Sequence, residues 1–593
     1  MSKIWQISPE PPIEFLSSHP ELPPIVARLL WNRNFKTQEE IDEFLNPDYS
    51  EDIHDPYLFK DMAKAVDIIF QTIEKKQKIT VHGDYDADGV CAAVILVSCL
   101  KKIGAENVNV FLPHREIDGY GLNANTVEFL KKEGTELIIT CDCGISNADE
   151  VALAKKSGMK VVITDHHTVP SIIPEADAII HPKLPDEKYP DKGLAGGGVA
   201  FKLAQGILKK HKEKNDKLTD GQNHESFEKW SLDLAAISTV GDMVPLRGES
   251  RTLTRYGLTV LNKTKNLGLQ KLLSAAGLAD ENNRPKRSAY DSFTIGFQIA
   301  PRLNAAGRMD HANSAYALLS AEKIADAEKL AMQLNQNNSE RQQLTELIVN
   351  QAKKQIEKTG QKDNPALFAF EENWPAGVIG LVAGKIKDEY YKPSIIMTLN
   401  DGEIVGSGRS IYEFSLIAAL QSMPEYFEKF GGHPQACGFT LKKDKLEEFK
   451  QALIKKAAEE TTGLKLEPKL TVDALINLED VDWKLYDLLQ KFEPFGQTNE
   501  EPTYAAKGLT VVSINPMGQD GKHLRIMVKH NSNVVKKLIG FWLGDTIKHP
   551  DNWKEVLKPG DKIDLAFSIG INEWNGNREL EMKIKDIKKS ATA

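Results

Sequence analysis

V-H-G-D-Y-D-A-D-G at residues 81–89 closes a short β-branched run, Ile79-Thr80-Val81, on one histidine and three aspartates. Three further stretches end in the same way: L-I-I-T-C-D (137–142), V-V-I-T-D-H-H (161–167) and, after a helix-like run, I-S-T-V-G-D (237–242). Working outward, the strands expected are Ile79–Val81, Val108–Leu112, Leu137–Thr140, Val161–Thr164 and Ala178–Ile180, with helical patterns near 90–103, 123–132 and 147–157. Strand–helix alternation at this spacing predicts an α/β fold built on a doubly wound parallel sheet. Sites in such sheets lie beyond the carboxyl ends of the strands. Asp84, Asp86 and Asp88, then Asp142, then Asp165-His166-His167 each follow a strand directly, so topology should gather them. Helical sequence over 193–240 delivers Asp242.

Carboxylate and imidazole are hard ligands, present here in the number that a pair of divalent cations needs. Phosphodiester chemistry uses such a pair, ~3.5–4 Å apart, to activate water and hold the leaving oxygen. Cleavage of a phosphate ester is therefore expected. Asp84, Asp86 and Asp88 alternate and share a face if extended; in a tight turn some would instead cap the helix beginning near Gly89. Asp86, Asp88 and His82 are read as metal ligands, and Asp84 either ligates or orients other ligands. Asp142 and Asp242 each close an apolar run among ligand-rich partners and are read as ligands too. Adjacent side chains cannot easily bind one ion, so His166 is assigned to metal and His167 to the scissile phosphate or leaving group, with Asp165 orienting an imidazole.

Gly196-Gly197-Gly198 opens a helical run and either cradles a phosphate or permits close packing. Arg115 lies in P-H-R-E-I-D-G-Y-G, Arg302, Asn304 and Arg308 in P-R-L-N-A-A-G-R, and Ser407 and Arg409 in G-S-G-R-S, joined by His433 in G-G-H-P-Q-A-C-G. Small residues beside an arginine let backbone and guanidinium approach a phosphate together.

At 593 residues the chain should hold three or four domains, at about 150 residues each. Its 41% hydrophobic and 27% charged residues are ordinary for globular protein. No apolar run approaches the ~20 residues of a membrane span, and the N-terminus lacks a signal-peptide core, so a cytoplasmic enzyme is expected. The five cysteines are odd in number and lack zinc-site spacing, which predicts buried thiols; on a strand, Cys141 and Cys143 would point away from Asp142. Net charge is −9, but Lys507 to Lys589 holds 15 Lys and Arg against 10 Asp and Glu, leaving +5 there and −14 elsewhere. Overall charge thus does not exclude nucleic acid.

Residues 1–56 look like a lead-in that packs on the next domain; 57–308 form the first α/β domain, 309–360 a connecting helix, 361–462 a second α/β domain and 463–593 a strand-rich tail. Five expected tail strands, Leu509–Ile514, His523–Val528, Val534–Phe541, Lys562–Ile569 and Leu580–Ile587, suggest an all-β oligonucleotide-binding (OB) barrel. There Phe541, Trp542 and Trp574 interleave with His523, Arg525, Lys529, Lys536 and Lys537, a composition suited to single strands.

With D-Y-D-A-D-G and T-D-H-H, the chain resembles the DHH phosphoesterase superfamily. G-Y-G-L, T-C-D-C-G, G-G-G-V-A-F-K-L, V-G-D-M-V-P-L, P-R-L-N-A-A-G-R, G-S-G-R-S, G-G-H-P-Q-A-C-G-F and P-F-G-Q-T-N-E-E-P make it similar to the single-strand-specific exonuclease branch, from about residue 60 to the end. The resemblance implies a 5′→3′ exonuclease on single-stranded DNA that releases 5′-mononucleotides in DNA repair and recombination. It implies two Mn²⁺ or Mg²⁺ ions on His82, Asp86, Asp88, Asp142, His166 and Asp242, with His167 at the scissile phosphate. DNA contacts would fall on Arg115, Arg302, Asn304, Ser407, Arg409 and His433. It also implies a DHH catalytic domain, long helix, DHH-associated domain and OB barrel. As partners it suggests a single-stranded-DNA-binding protein and a RecQ-type helicase, with no membrane and a monomeric enzyme. The rival is a DHH enzyme for short oligonucleotides or cyclic dinucleotides, whose relatives are usually shorter and lack the barrel. Pro375, Cys437, Thr498 and Glu500 depart from the branch's usual His, Ala, Gly and Pro; none is an expected ligand, so they bear on the DNA exit or a partner surface.

Overall fold

The structure, a computed structural model, describes residues 3–286, 289–400, 402–518, 520–530, 532–546, 551–574 and 577–590; the Trp574 side chain lies outside what is described. Strand β1 (Lys78–His82) is second in a sheet of five. It pairs in parallel with β2 (Val108–Phe111) on one side and β3 (Thr135–Cys141) on the other, followed by β4 (Lys160–Thr164) and β5 (Ala178–Ile180). Ile79, Val81, Ile138, Ile139, Val161 and Val162 are all buried, as strands covered on both faces require. Register aligns His82 with Phe111 and Thr140, so these three strands end at one level and their following loops meet. The fold class expected from the alternation is the one found.

Helix α1 (Ala87–Lys102) is apolar all round because it lies under the sheet and is also covered by α4 (Gly196–Lys212) and α5 (Leu232–Gly241). Between β2 and β3 runs α2 (Ala124–Lys132), and between β3 and β4 runs α3 (Ala148–Lys156). P-R-L-N-A-A-G-R, with its glycine, is helix α6 (Ala300–Met309), entered through a π-helical turn at Ile295–Ile299.

Helix α7 (Ile324–Lys358) spans 35 residues, about 50 Å at 1.5 Å per residue. Ala327, Ala331 and Leu334 enter the core of the first domain, while Ile348, Ala352 and Ile356 enter that of the second. Two apolar segments on a polar helix thus fasten two domains. The second domain is a mixed sheet of β6 (Leu367–Phe370), β7 (Ser394–Asn400), β8 (Glu403–Arg409), β9 (Phe427–His433) and β10 (Ala436–Leu441), ordered β9-β10-β8-β7-β6, with α8 (Ala376–Tyr390) and α9 (Leu446–Thr461) packed on it.

Five tail strands close into a barrel: β11 (Tyr504–Met517), β12 (His523–Lys529), β13 (Val535–Gly540), β14 (Lys562–Trp574) and β15 (Asn577–Lys589). Their order is β11-β12-β13-β15-β14, and β14 returns to β11. Sequence reading places the lead-in on the next domain along the chain, where Tyr49 and Ile53 do pack; the apolar face of its helices also enters the barrel core. Phe15, Leu29, Leu30 and Phe44 pack with Phe492, Leu524 and Ile526, and Ile4–Ile7 pairs in parallel with Lys469–Val472. Periodicity marks a helix's apolar face but not what that face meets.

Arg251 joins these parts. Its buried guanidinium donates to the carbonyls of Phe44, Lys491, Phe492, Glu493 and Pro494. The P-F-G-Q-T segment therefore belongs to a clasp between domains. Thr498 takes φ 62° there, a left-handed value that explains why glycine is usual, and the Glu500 carbonyl accepts from Arg33 at 2.7 Å. Pro375 caps α8, and Cys437 is buried against the second domain's core.

Candidate active site

The D-Y-D-A-D turn combines both sequence readings of its aspartates. Asp86 is the N-cap of α1, one oxygen accepting from the N–H groups of Asp88 (2.9 Å) and Gly89 (3.1 Å). Ligand atoms of Asp84, Asp86 and Asp142 nonetheless lie within 4.8 Å of one another. A second group of that size is Asp88, His166 and Asp242, and a third is Asp142, His166 and His167. His166 Nε2 lies 3.1 Å from Asp142, 3.5 Å from Asp242 and 3.7 Å from Asp88. Every residue expected to ligate metal except His82 thus belongs to at least one of these groups, and His82 precedes the turn at the end of β1.

Asp88 accounts for two of the three glycines. Gly196 and Gly197, at the start of α4, donate their N–H groups to its carboxylate at 2.8 and 2.7 Å, and Ser238 donates its hydroxyl. The helix N-terminus holds a carboxylate of the protein itself. Nor is there room for a side chain: a Cβ on Gly196 would stand 2.5 Å from Asp142 Cβ. Asp142 takes φ 63°, which only Asn, Asp and Gly adopt readily. It leaves the strand at that turn, so strand alternation does not govern its neighbours, and Cys143 Sγ lies 3.6 Å from His82 Nδ1.

Electrostatics point to cations. Burial first, and then the charges of neighbouring carboxylates, push Asp84, Asp86 and Asp142 above the usual carboxylate range and Asp242 up to about 8. Burial brings His82 and His166 down to about 4, keeping both imidazoles neutral, the form that ligates. His82 Nε2, Asp84 Oδ1, Asp142 Oδ1 and His166 Nε2 are buried with no hydrogen-bond partner. Such atoms are costly unless satisfied. Oxygen and imidazole donors left in this state fit a pair of hard divalent cations.

His167 is different: it is about a third exposed, against 6% for the His166 side chain. Asp165 Oδ1 accepts from its Nδ1 at 2.8 Å and from both histidine backbone N–H groups. Burial would raise Asp165, but the His167 hydrogen bond and charge hold it near 2. Burial would lower His167, but the hydrogen bond and charge of Asp165 outweigh it and raise the imidazole to about 9. The Tyr120 hydroxyl donates to the Asp142 carbonyl (3.0 Å) and lies 2.9 Å from His167 Nδ1. Sequence reasoning missed Tyr120 and Ser238, although both lie inside quoted motifs.

The expected DNA-contacting residues divide. The Arg115 guanidinium lies over the Tyr85 ring at 3.9 Å. The Asn304 amide oxygen is already committed to the Ala87 N–H at 2.6 Å. Arg302 donates to Asn335 and Gln298, and Arg308 to the Gly377 carbonyl of the second domain. Ser407 and Arg409 share a face of β8, and pairing through Ala436 puts His433 in the Arg409 row. Among the described residues these three make no ion pair or hydrogen bond with the carboxylate cluster. In the barrel, Phe541 is half exposed with His523 edge-on to it, whereas Lys536 and Lys537 are engaged with Val481 and Glu579.

Fold and site together define a phosphoesterase-type centre. Accordingly, a family model of the DHH family N-terminal domain matches residues 78–239, one of the DHHA1 domain residues 363–459, and one of the RecJ OB domain residues 472–586. The chain is 34% identical over 588 residues to the single-stranded-DNA-specific exonuclease RecJ of Bacillus subtilis, covering 98% of this chain and 70% of that one. It is 31% identical over 580 residues to RecJ of Escherichia coli, covering 96% of each. Crystal structures of Thermus thermophilus RecJ with Mn²⁺ and with Mg²⁺ match at TM-scores of 0.80 and 0.74, with 26% and 25% identity, over 99% of this chain and 80% and 79% of theirs. The chain belongs to the RecJ family.

Proposed function

We propose that this chain is a metal-dependent 5′→3′ exonuclease specific for single-stranded DNA, releasing 5′-mononucleotides. One observation carries the reading: buried, unsatisfied ligand atoms converge at the strand ends of a chain similar to RecJ along its whole length. His82, Asp84, Asp86, Asp88, Asp142, His166 and Asp242 would hold two Mn²⁺ or Mg²⁺ ions. Bound there, the ions supply an activated water and neutralise the leaving oxygen.

The protein's own groups do the positioning. Gly196, Gly197 and Ser238 fix Asp88, and Tyr120 and Asp165 fix His167. With Nδ1 committed to Asp165, His167 Nε2, 3.4 Å from the Tyr120 hydroxyl, is the nitrogen that would donate to a phosphate oxygen or to the leaving 3′ oxygen. Arg115, Arg302 and Arg308 would neutralise backbone phosphates, and Asn304 retains its amide nitrogen for the strand. Arg409, Ser407 and His433 would grip the 5′ phosphate from the second domain and so set polarity. The barrel would track the strand through its outward aromatic and basic side chains. We place the enzyme in the cytoplasm as a monomer, supplied with strand by a RecQ-type helicase and a single-stranded-DNA-binding protein. This part of the proposal is supported by family resemblance, and no helix among the described residues is long and apolar enough to cross a membrane.

The test uses one strand of several tens of nucleotides, labelled at either end, with Mn²⁺ or EDTA, beside a blunt duplex. Metal-dependent release of the 5′ label first, as mononucleotide, with the duplex spared, is expected. Survival of the long strand while very short oligonucleotides are consumed would favour the rival.

A further inference from the structure

We infer that Arg341, on the bridging helix α7, contacts a non-scissile backbone phosphate of the bound strand, completing a subsite with Arg302 and Arg308 of α6. This rests on the single-stranded-DNA reading above and adds to it a residue and a ligand group.

The observation is an arginine cluster that makes no direct ion pair among the described residues, although the charge of Asp86 reaches Arg308 and that of Arg115 reaches Asp84 and Asp86. α6 packs along α7, and the charge of Arg341 bears on both Arg302 and Arg308, while that of Arg115 bears on Arg308. Among the described residues none of these four guanidinium groups ion-pairs with a carboxylate. Neutral oxygens orient them instead: Asn338 Oδ1 for Arg341 at 2.9 Å, Asn335 Oδ1 for Arg302 at 3.0 Å and the Gly377 carbonyl for Arg308 at 2.8 Å. The Nε atoms of Arg341 and Arg115 are buried with no hydrogen-bond partner.

Buried guanidinium groups are ordinarily paired, since leaving such a charge and its donors unmet is costly. Three partly buried groups held by amides and carbonyls, with Arg115 partly buried over the Tyr85 ring, have no direct anionic partner. The planar fork of arginine fits a phosphate by two parallel hydrogen bonds. Location identifies which phosphates are available. A Cβ on Gly307 would stand 2.7 Å from the Tyr85 carbonyl, so α6 lies directly against the D-Y-D turn, and Arg308 reaches across to α8 of the second domain. The cluster therefore flanks the metal-ligand turn at the junction of the two domains, where a strand held by both would lay its backbone. Asn335, Asn338 and Arg341 follow one another at three-residue steps along α7, which explains the polar, largely buried Asn338 in the middle of that helix.

The experiment measures release of the first 5′ nucleotide from a 5′-phosphorylated thymidine 20-mer and from strands each carrying one neutral methylphosphonate linkage. Arg341→Gln should raise KM about tenfold on the parent strand with kcat within about twofold. One methylphosphonate position should impose a similar loss on the wild type and none on the variant. A KM unchanged from wild type, or a loss equal on every strand of the series, overturns the inference. If Arg341→Gln melts far below the wild type, Arg341→Lys is read in the same way, its single ammonium giving a smaller loss at the same linkage. Failure of the wild type to digest the parent strand would instead sink the exonuclease reading and this inference with it.

Discussion

At Asp142 the backbone takes φ 63°, and the space beside its Cβ is kept by Gly196. Asp142→Asn tolerates that conformation but loses the charge, so turnover should fall at least about 10³-fold with the melting temperature little changed. Near wild-type turnover would remove Asp142 from the site. Gly196→Ala should be nearly as damaging, because the added methyl displaces Asp142 and the N–H that holds Asp88; single-turnover rates with the two variants check this. His167→Ala should cost about 10²-fold in kcat while leaving the affinity for Mn²⁺ intact, since its imidazole is tied to Asp165. The convergence of these residues was legible because acids and histidines closing parallel strands are gathered at one end of the sheet. Tyr120 was not, because a tyrosine between two glycines reads as a turn until its hydroxyl is seen on His167.

Among the elements, α5 shows what burial does to a charge. Asp233, in its first turn, is fully buried and accepts from Thr264 Oγ1 and the Leu234 N–H. Burial, opposed by these hydrogen bonds, raises its pKa to about 6. A folded-state pKa above the unfolded value means the native protein binds this proton more tightly. Its contribution to stability is therefore fully present below about pH 4 and is lost as pH rises to about 6, a change of about 2–3 kcal/mol. Asp233→Asn should flatten that part of the profile in urea denaturation at pH 4 to 7; an unchanged slope would contradict the assignment. Element type and order were largely legible, since strand–helix alternation carries its own period. What Gly196-Gly197-Gly198 and P-R-L-N-A-A-G-R do was not: small residues mark close approach, and only the fold says what approaches. In these cases it is Asp88 and the Tyr85 turn, not a free phosphate.

On the scale of the molecule, the ends of the chain depend on one another. Because residues 1–56 and the barrel share a core, deleting either alone should expose Phe15, Leu29, Leu30 or their partners and cause aggregation. Deleting both together should be tolerated better, which light scattering of the three truncations compares. Arg251→Ala should destabilise the whole chain by roughly 3 kcal/mol or more, because five carbonyls lose a buried donor at once. This dependence was not legible. Contacts between the first and last fifty residues leave no periodic trace in either.

The central claim is that acids and imidazoles delivered by separate strand ends form one two-cation centre. Calorimetric titration of the metal-stripped protein with Mn²⁺ tests it most directly, beside Asp142→Asn and Asp88→Asn. Two ions per wild-type chain, with at least one lost or greatly weakened in each variant, is the result expected. Fewer than two ions in the wild type, or full binding in both variants, would contradict it.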